Sequence, residues 1–152
     1  MTMSQHPAVH KRLVDSLYTE AMLLADEARG YFDMLGRNER DCLDAMTRVA
    51  FSCESLKVTT RLMHVIAWLL TQRAVECGEI ARREALDPSR RLGDAPETDE
   101  AVIARMPEKA RELIHASIEL YRRVLRLDRS QANDSAPESP ARTMMARLSR
   151  SF

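Results

Sequence analysis

MTRVAFSCESLKVTTRLMHVIAWLLTQRAVECG, residues 46–78, is the stretch whose reading decides the fold. It holds no proline, and its first glycine is Gly78, so nothing in it interrupts an α-helix. Met46, Val49, Cys53, Leu56, Thr60, Met63, Ala67, Leu70 and Ala74 recur in alternating steps of three and four, the spacing of one helical stripe. Phe51, Val58, Leu62, Val65 and Leu69 form a second stripe beside it. The apolar sector is then about twice the width of an ordinary surface stripe, which predicts a central helix with partners on both sides. Asn38 suits its N-cap, so the helix is expected over 38–82. At ~1.5 Å per residue the run from Asn38 to Gly78 would span about 60 Å, so it must bend, fray or protrude. A protruding apolar flank predicts a homodimer in which this helix supplies much of the contact.

Outward from that helix, Val14, Leu17, Ala21, Leu24, Ala28, Tyr31 and Leu35 keep the same spacing and predict a first helix over 8–35. Pro7 suits its opening and Gly36 its end. Between 84 and 106 the periodicity lapses, and Pro88, Gly93 and Pro96 punctuate a long acidic loop. Pro107 opens a third helix over 107–128, whose stripe is Met106, Ala110, Leu113, Ser117, Leu120, Val124 and Leu127. Residues 129–152 are polar and broken by Pro137 and Pro140, which predicts a disordered tail. The expectation is an all-α protein: an antiparallel three-helix bundle over 1–128, with a long central helix and a disordered C-terminal tail.

The 152 residues carry no net charge, so no overall positive field exists to hold a phosphate backbone, and nucleic-acid binding is disfavoured. Aromatics are 5% of the chain against 45% hydrophobic residues, so core volume must come from aliphatic side chains and methionine. Cys42, Cys53 and Cys77 lack the close spacing of zinc or redox motifs and read as reduced, mostly buried thiols. The first fifteen residues have no apolar core of a secretory signal. The longest uncharged run, Leu62 to Gln72, falls short of the roughly 17–25 residues of a membrane span, so a cytoplasmic protein is expected.

Catalytic and cofactor patterns are weak. His6 and His10 stand i, i+4 without a third ligand nearby, and His64 and His115 are isolated. No glycine-rich phosphate loop occurs. The reading is a protein without catalytic centre, cofactor or metal. Glu54, Lys57, Arg61, His64 and Trp68 fall along one side of the central helix, and with Leu62, Val65, Leu69 and Arg73 they are candidates for partner or dimer contact. The simpler alternative is that Trp68 closes the core while Arg61 pairs with a carboxylate such as Glu20 or Glu112. In the tail, Arg142, Met144, Met145, Arg147, Leu148 and Phe152 form a cluster that could dock on a partner.

The run Glu54-Ser55-Leu56-Lys57-Val58-Thr59-Thr60-Arg61-Leu62-Met63, followed by Ala67-Trp68-Leu69-Leu70-Thr71-Gln72-Arg73-Ala74-Val75 and Gly78-Glu79, resembles the signature of the RcdA family, regulators of CtrA degradation. Weaker matches lie around Tyr18-Thr19-Glu20-Ala21, Tyr31-Phe32 and Met106-Pro107-Glu108 with Glu112-Leu113. The resemblance implies a usually dimeric three-helix bundle. It further implies an adaptor for the ATP-dependent protease ClpXP, working with a response-regulator-like adaptor to deliver cell-cycle substrates such as CtrA. The family's tail is associated with its activity, and residues 129–152 match no pattern that transfers. The alternative is a helical signalling protein that binds a transcription regulator without a protease.

Overall fold

The computed structural model describes residues 7–134 and 140–151, and every regular element among them is helical. Three long helices dominate: α1 (Pro7–Gly30), α3 (Ala45–Glu76) and α6 (Glu108–Asp134). Four short helices accompany them: α2 (Arg37–Asp41), α4 (Arg82–Ala85), α5 (Glu100–Ile103) and α7 (Pro140–Ser151). A π-helical turn (Tyr31–Leu35) extends α1, and a 3-10 turn (Pro88–Arg90) follows α4.

The expected antiparallel arrangement is corrected in one respect. Asp15 meets Arg73 at one end of the α1–α3 pair and Phe32 meets Phe51 at the other, so α1 and α3 are antiparallel. Along α3 and α6, however, Arg61 meets Ser117, Trp68 meets Asp128 and Gln72 meets Gln131, so these two helices run in the same direction. Parallel neighbours require the chain to return along their full length before the second begins, the bundle topology with one long crossover. Residues 77–107 make that return, and we call them the strap. The expected loop at 84–106 is thus an ordered element containing α4, the 3-10 turn and α5.

Local chemistry explains the shifted boundaries. The expected helix over 38–82 is interrupted because Asp44 adopts an extended conformation and its carboxylate accepts from the Thr47 N–H, starting α3 there. That hydrogen bond holds the Asp44 carboxyl below the usual range. At the other end Gly78 has φ 75°, and Glu79 N–H donates to Ala74 O while Gly78 N–H donates to Val75 O, a Schellman stop. Helix α3 is therefore about 48 Å long and α6 about 40 Å, so the central helix does not greatly outrun its neighbour. The third helix continues past Asp128 to Asp134, where Gln131 bonds Gln72, so residues 129–134 are not part of a disordered tail. Residues 140–151 are also helical, against the same expectation; residues 135–139, the rest of that stretch, lie outside the described residues.

The core joins Val14, Leu17, Ala21, Ala28, Tyr31 and Phe32 to Phe51, Val58, Leu62, Val65, Trp68 and Leu69, and these to Ala110, Leu113, Ile114, Leu120 and Val124. Tyr31, Phe32 and Phe51 form an aromatic cluster with centroids 5.1–6.2 Å apart. The π turn inserts a residue into the helical register. It brings Phe32 inward with Tyr31 and leaves Leu35, expected in the buried stripe, exposed. Leu92, Ile103 and Met106 seat the strap on this core.

Candidate functional site

Two faces of α3 have opposite fates. The polar sector at Glu54, Lys57, Arg61 and Trp68 lies under the strap and is occupied. Arg61 Nη2 donates to Pro96 O at 3.1 Å and to Thr98 Oγ1 at 2.6 Å, and its Nη1 donates to Ser117 Oγ at 3.2 Å. Thr98 Oγ1 in turn donates to Glu54 Oε2 at 2.7 Å. Lys57 Nζ bridges Glu54 at 3.1 Å and donates to Glu97 O at 3.0 Å. Glu54 and Arg61 are each only 2% exposed, a burial that charged groups tolerate because every one of these bonds is made. Burial pushes the Arg61 guanidinium below its ordinary value, opposed by the charge of Glu54.

A second clasp lies two turns further along α3. Asp128 accepts from Trp68 Nε1 at 2.9 Å and takes the Arg91 guanidinium through two bonds of 2.8 Å. The hydrogen bond to Asp128 raises the Arg91 pKa above its usual value. Tyr121 OH donates to Gly93 O at 2.7 Å, and burial raises its phenol. Gly93 is needed there, because a Cβ would overlap the His64 imidazole. These contacts pair 91 with 68, 93 with 64, 96 with 61 and 98 with 54, so the strap runs antiparallel to α3 along its whole polar sector.

The opposite face of α3 is open. Met46 (80% exposed), Val49, Cys53, Leu56 (68%), Met63 (64%), Ala67 and Leu70 stand in a row on the surface, with Thr60 and Ala74 half-buried in the same row. Their three-four spacing runs over four heptads, the spacing of a coiled-coil seam. At the Met63 side the seam opens into a groove of about 340 Å³ between α1 and α3, lined by Ala25, Ala28, Phe32, Thr59, Leu62 and Ile66 among others. Cys42, Cys53 and Cys77, expected to be mostly buried, are all exposed.

The candidate residues thus divide. Arg61, Leu62, Val65, Trp68 and Leu69 are buried under the strap and in the core, with Leu62 at the floor of the groove. Arg61 pairs through Thr98 with Glu54 on its own helix instead of with Glu20 or Glu112; Glu20 holds Arg123, and Glu112 lies by Lys109. Lys57 and Arg73 are half-buried, Arg73 stacking 3.9 Å over the Tyr18 ring and bonding Asp15 at 3.2 Å. In α7, Met144, Met145, Arg147 and Leu148 are exposed. Arg142 lies within that helix, while Phe152 and His6 lie outside the described residues. The surface residues missed as such are Met46, Val49, Leu56, Met63 and Leu70, whose spacing is that of any buried stripe. No local signal separates them from the second stripe, Phe51, Val58, Val65 and Leu69, which is the one that faces the core.

Among the described residues no group of three or more His, Cys, Asp or Glu side chains is placed to hold a metal ion. Glu112 and His115, a Glu-x-x-His pair, both lie at the surface, with His115 Nε2 3.2 Å from Glu100. No described helix is long and apolar enough to cross a membrane.

Residues 5–152 match a family described as a protein of unknown function, DUF1465. The crystal structure of RcdA from Caulobacter crescentus CB15 is similar at 34% sequence identity and a TM-score of 0.64, covering 78% of this chain and 90% of that one. No curated protein matches.

Proposed function

The chain belongs to the RcdA-like DUF1465 family, and from that membership we propose that it is a non-enzymatic adaptor in regulated proteolysis. In this reading it works in the cytoplasm as an antiparallel-and-parallel three-helix body, joins the ATP-dependent protease ClpXP through a response-regulator-like adaptor, and helps deliver CtrA-like cell-cycle substrates. The observation that carries the reading is the pairing of that kinship with the seam on α3, a long apolar row that its own fold leaves open. An adaptor acts by raising the effective concentration of one partner near another, which calls for open surfaces and no reacting groups.

The same seam is the proposed homodimer surface. Its large apolar side chains exceed what a monomer ordinarily leaves in one row, and a second copy of α3 would bury them in register. Light scattering should give twice the monomer mass at micromolar concentration, and Met63→Glu with Leu70→Glu should return it to one. The delivery role is tested by reconstitution. Purified protein should speed degradation of a candidate substrate by ClpXP only when the response-regulator-like adaptor is present. No acceleration with any adaptor combination would leave a signalling partner without protease as the better account.

A further inference from the structure

Helix α7 is twelve residues long, and isolated helices of that length are marginal in water without an apolar partner. Its Met144, Met145 and Leu148 are exposed, and its sequence holds Arg142, Arg147 and Arg150 with no acidic residue. The open half of the α3 seam lies at the same end of the molecule, because the Gln131–Gln72 hydrogen bond sets the end of α6 beside the end of α3. Glu76 and Glu79 are exposed at that end beside Arg82 and Arg83, so charge there is mixed and the match is one of apolar rows.

We infer that α7 folds back on its own chain as a fourth helix, laying Met144, Met145 and Leu148 along Met63, Ala67 and Leu70, so that the seam opens only when α7 leaves. The inference rests on the seam being the docking surface proposed above. Reach allows it. The five residues 135–139 give about 20 Å of extended chain, against a helix-to-helix spacing of about 10 Å plus the radius of α3. A five-residue connection is also within the usual range for antiparallel helix neighbours. A helix of about 18 Å covers the α3 surface from Ala74 to Met63. Tethering at so short a distance gives an effective concentration of the order of millimolar, which a second copy must outcompete in order to dimerise through the seam. Closure would then lower apparent partner affinity in proportion to the open fraction.

The test compares the full chain, a chain ending at Asp134, and full-length Met145→Glu/Leu148→Glu by light scattering over a dilution series and by binding of 1-anilinonaphthalene-8-sulfonate. The truncated chain and the double variant should both bind more dye than the full chain and self-associate at least tenfold more tightly, with unchanged melting of the body. Equal dye binding and equal self-association in all three would overturn the inference. So would weaker self-association on truncation, which would place α7 on a second copy. The seam has its own control: if Met63→Glu/Leu70→Glu in the truncated chain changes neither readout, the docking surface itself is wrong. If that variant acts while loss of α7 does nothing, only the fourth-helix inference fails.

Discussion

Replacing Arg61 by methionine should release the strap. The substitution keeps the apolar stem that packs beside the core and removes the guanidinium, and with it the bonds to Pro96 O, Thr98 and Ser117. Glu54, 2% exposed, keeps both of its direct partners, Thr98 and Lys57, and loses the nearby positive charge that Arg61 supplied across Thr98. Removing one member of a directly bonded buried charged pair costs about 3–5 kcal/mol; Arg61 reaches Glu54 only through Thr98 and Lys57 stays in contact, so this case lies at the lower end, about 3 kcal/mol. For a domain of this size that is a fall in Tm of about 6–12 °C. Adding Glu54→Gln removes the buried negative charge that Arg61 no longer offsets, so the double variant should cost less than the two single changes summed, with a coupling of about 1.5 kcal/mol. Urea unfolding followed by far-ultraviolet circular dichroism gives the stabilities. Trypsin gives the local effect, since cleavage after Arg90 and Arg91 should accelerate well before the body unfolds. An Arg61→Met protein within about 1 kcal/mol of the parent, with the strap still protected and no coupling to Glu54, would refute the clamp.

Other substitutions probe the same architecture. Asp128→Ala strands the Trp68 indole N–H and frees Arg91, which should cost about 2–4 kcal/mol and shift tryptophan emission to the red; unchanged emission would count against the clasp. Gly93→Ala should lift the strap by collision with His64, and adding His64→Ala should restore stability, as differential scanning calorimetry would show. Gly78→Ala places a side chain at φ 75° and should lower stability by about 1 kcal/mol in urea titrations. Asp44→Ala should lower Tm at neutral pH. The capping hydrogen bond depresses the Asp44 pKa, so its contribution is complete above the unfolded value near 4 and lost as pH falls through the folded one; the gap to the parent should close in acid.

Sequence alone determined that the protein is helical and that its longest element lies within residues 38–82, because helical periodicity and freedom from Pro and Gly are properties of neighbours along the chain. It also carried the family signature, in which Glu54, Lys57, Arg61 and Trp68 stand at helical intervals. What those residues do was decided in three dimensions. A three-four stripe reports that one side of a helix is apolar and says nothing of which side meets the core. Two such stripes on α3 were therefore indistinguishable until α1 and α6 packed on Phe51, Val58, Val65 and Leu69 and left Met46, Leu56, Met63 and Leu70 outside. The direction of α6 was equally hidden. It depends on how residues 77–107 return along α3, and that path is fixed by Arg61 meeting Thr98, Arg91 meeting Asp128 and Asp128 meeting Trp68 across separations of 37 to 60 residues, which no local pattern encodes.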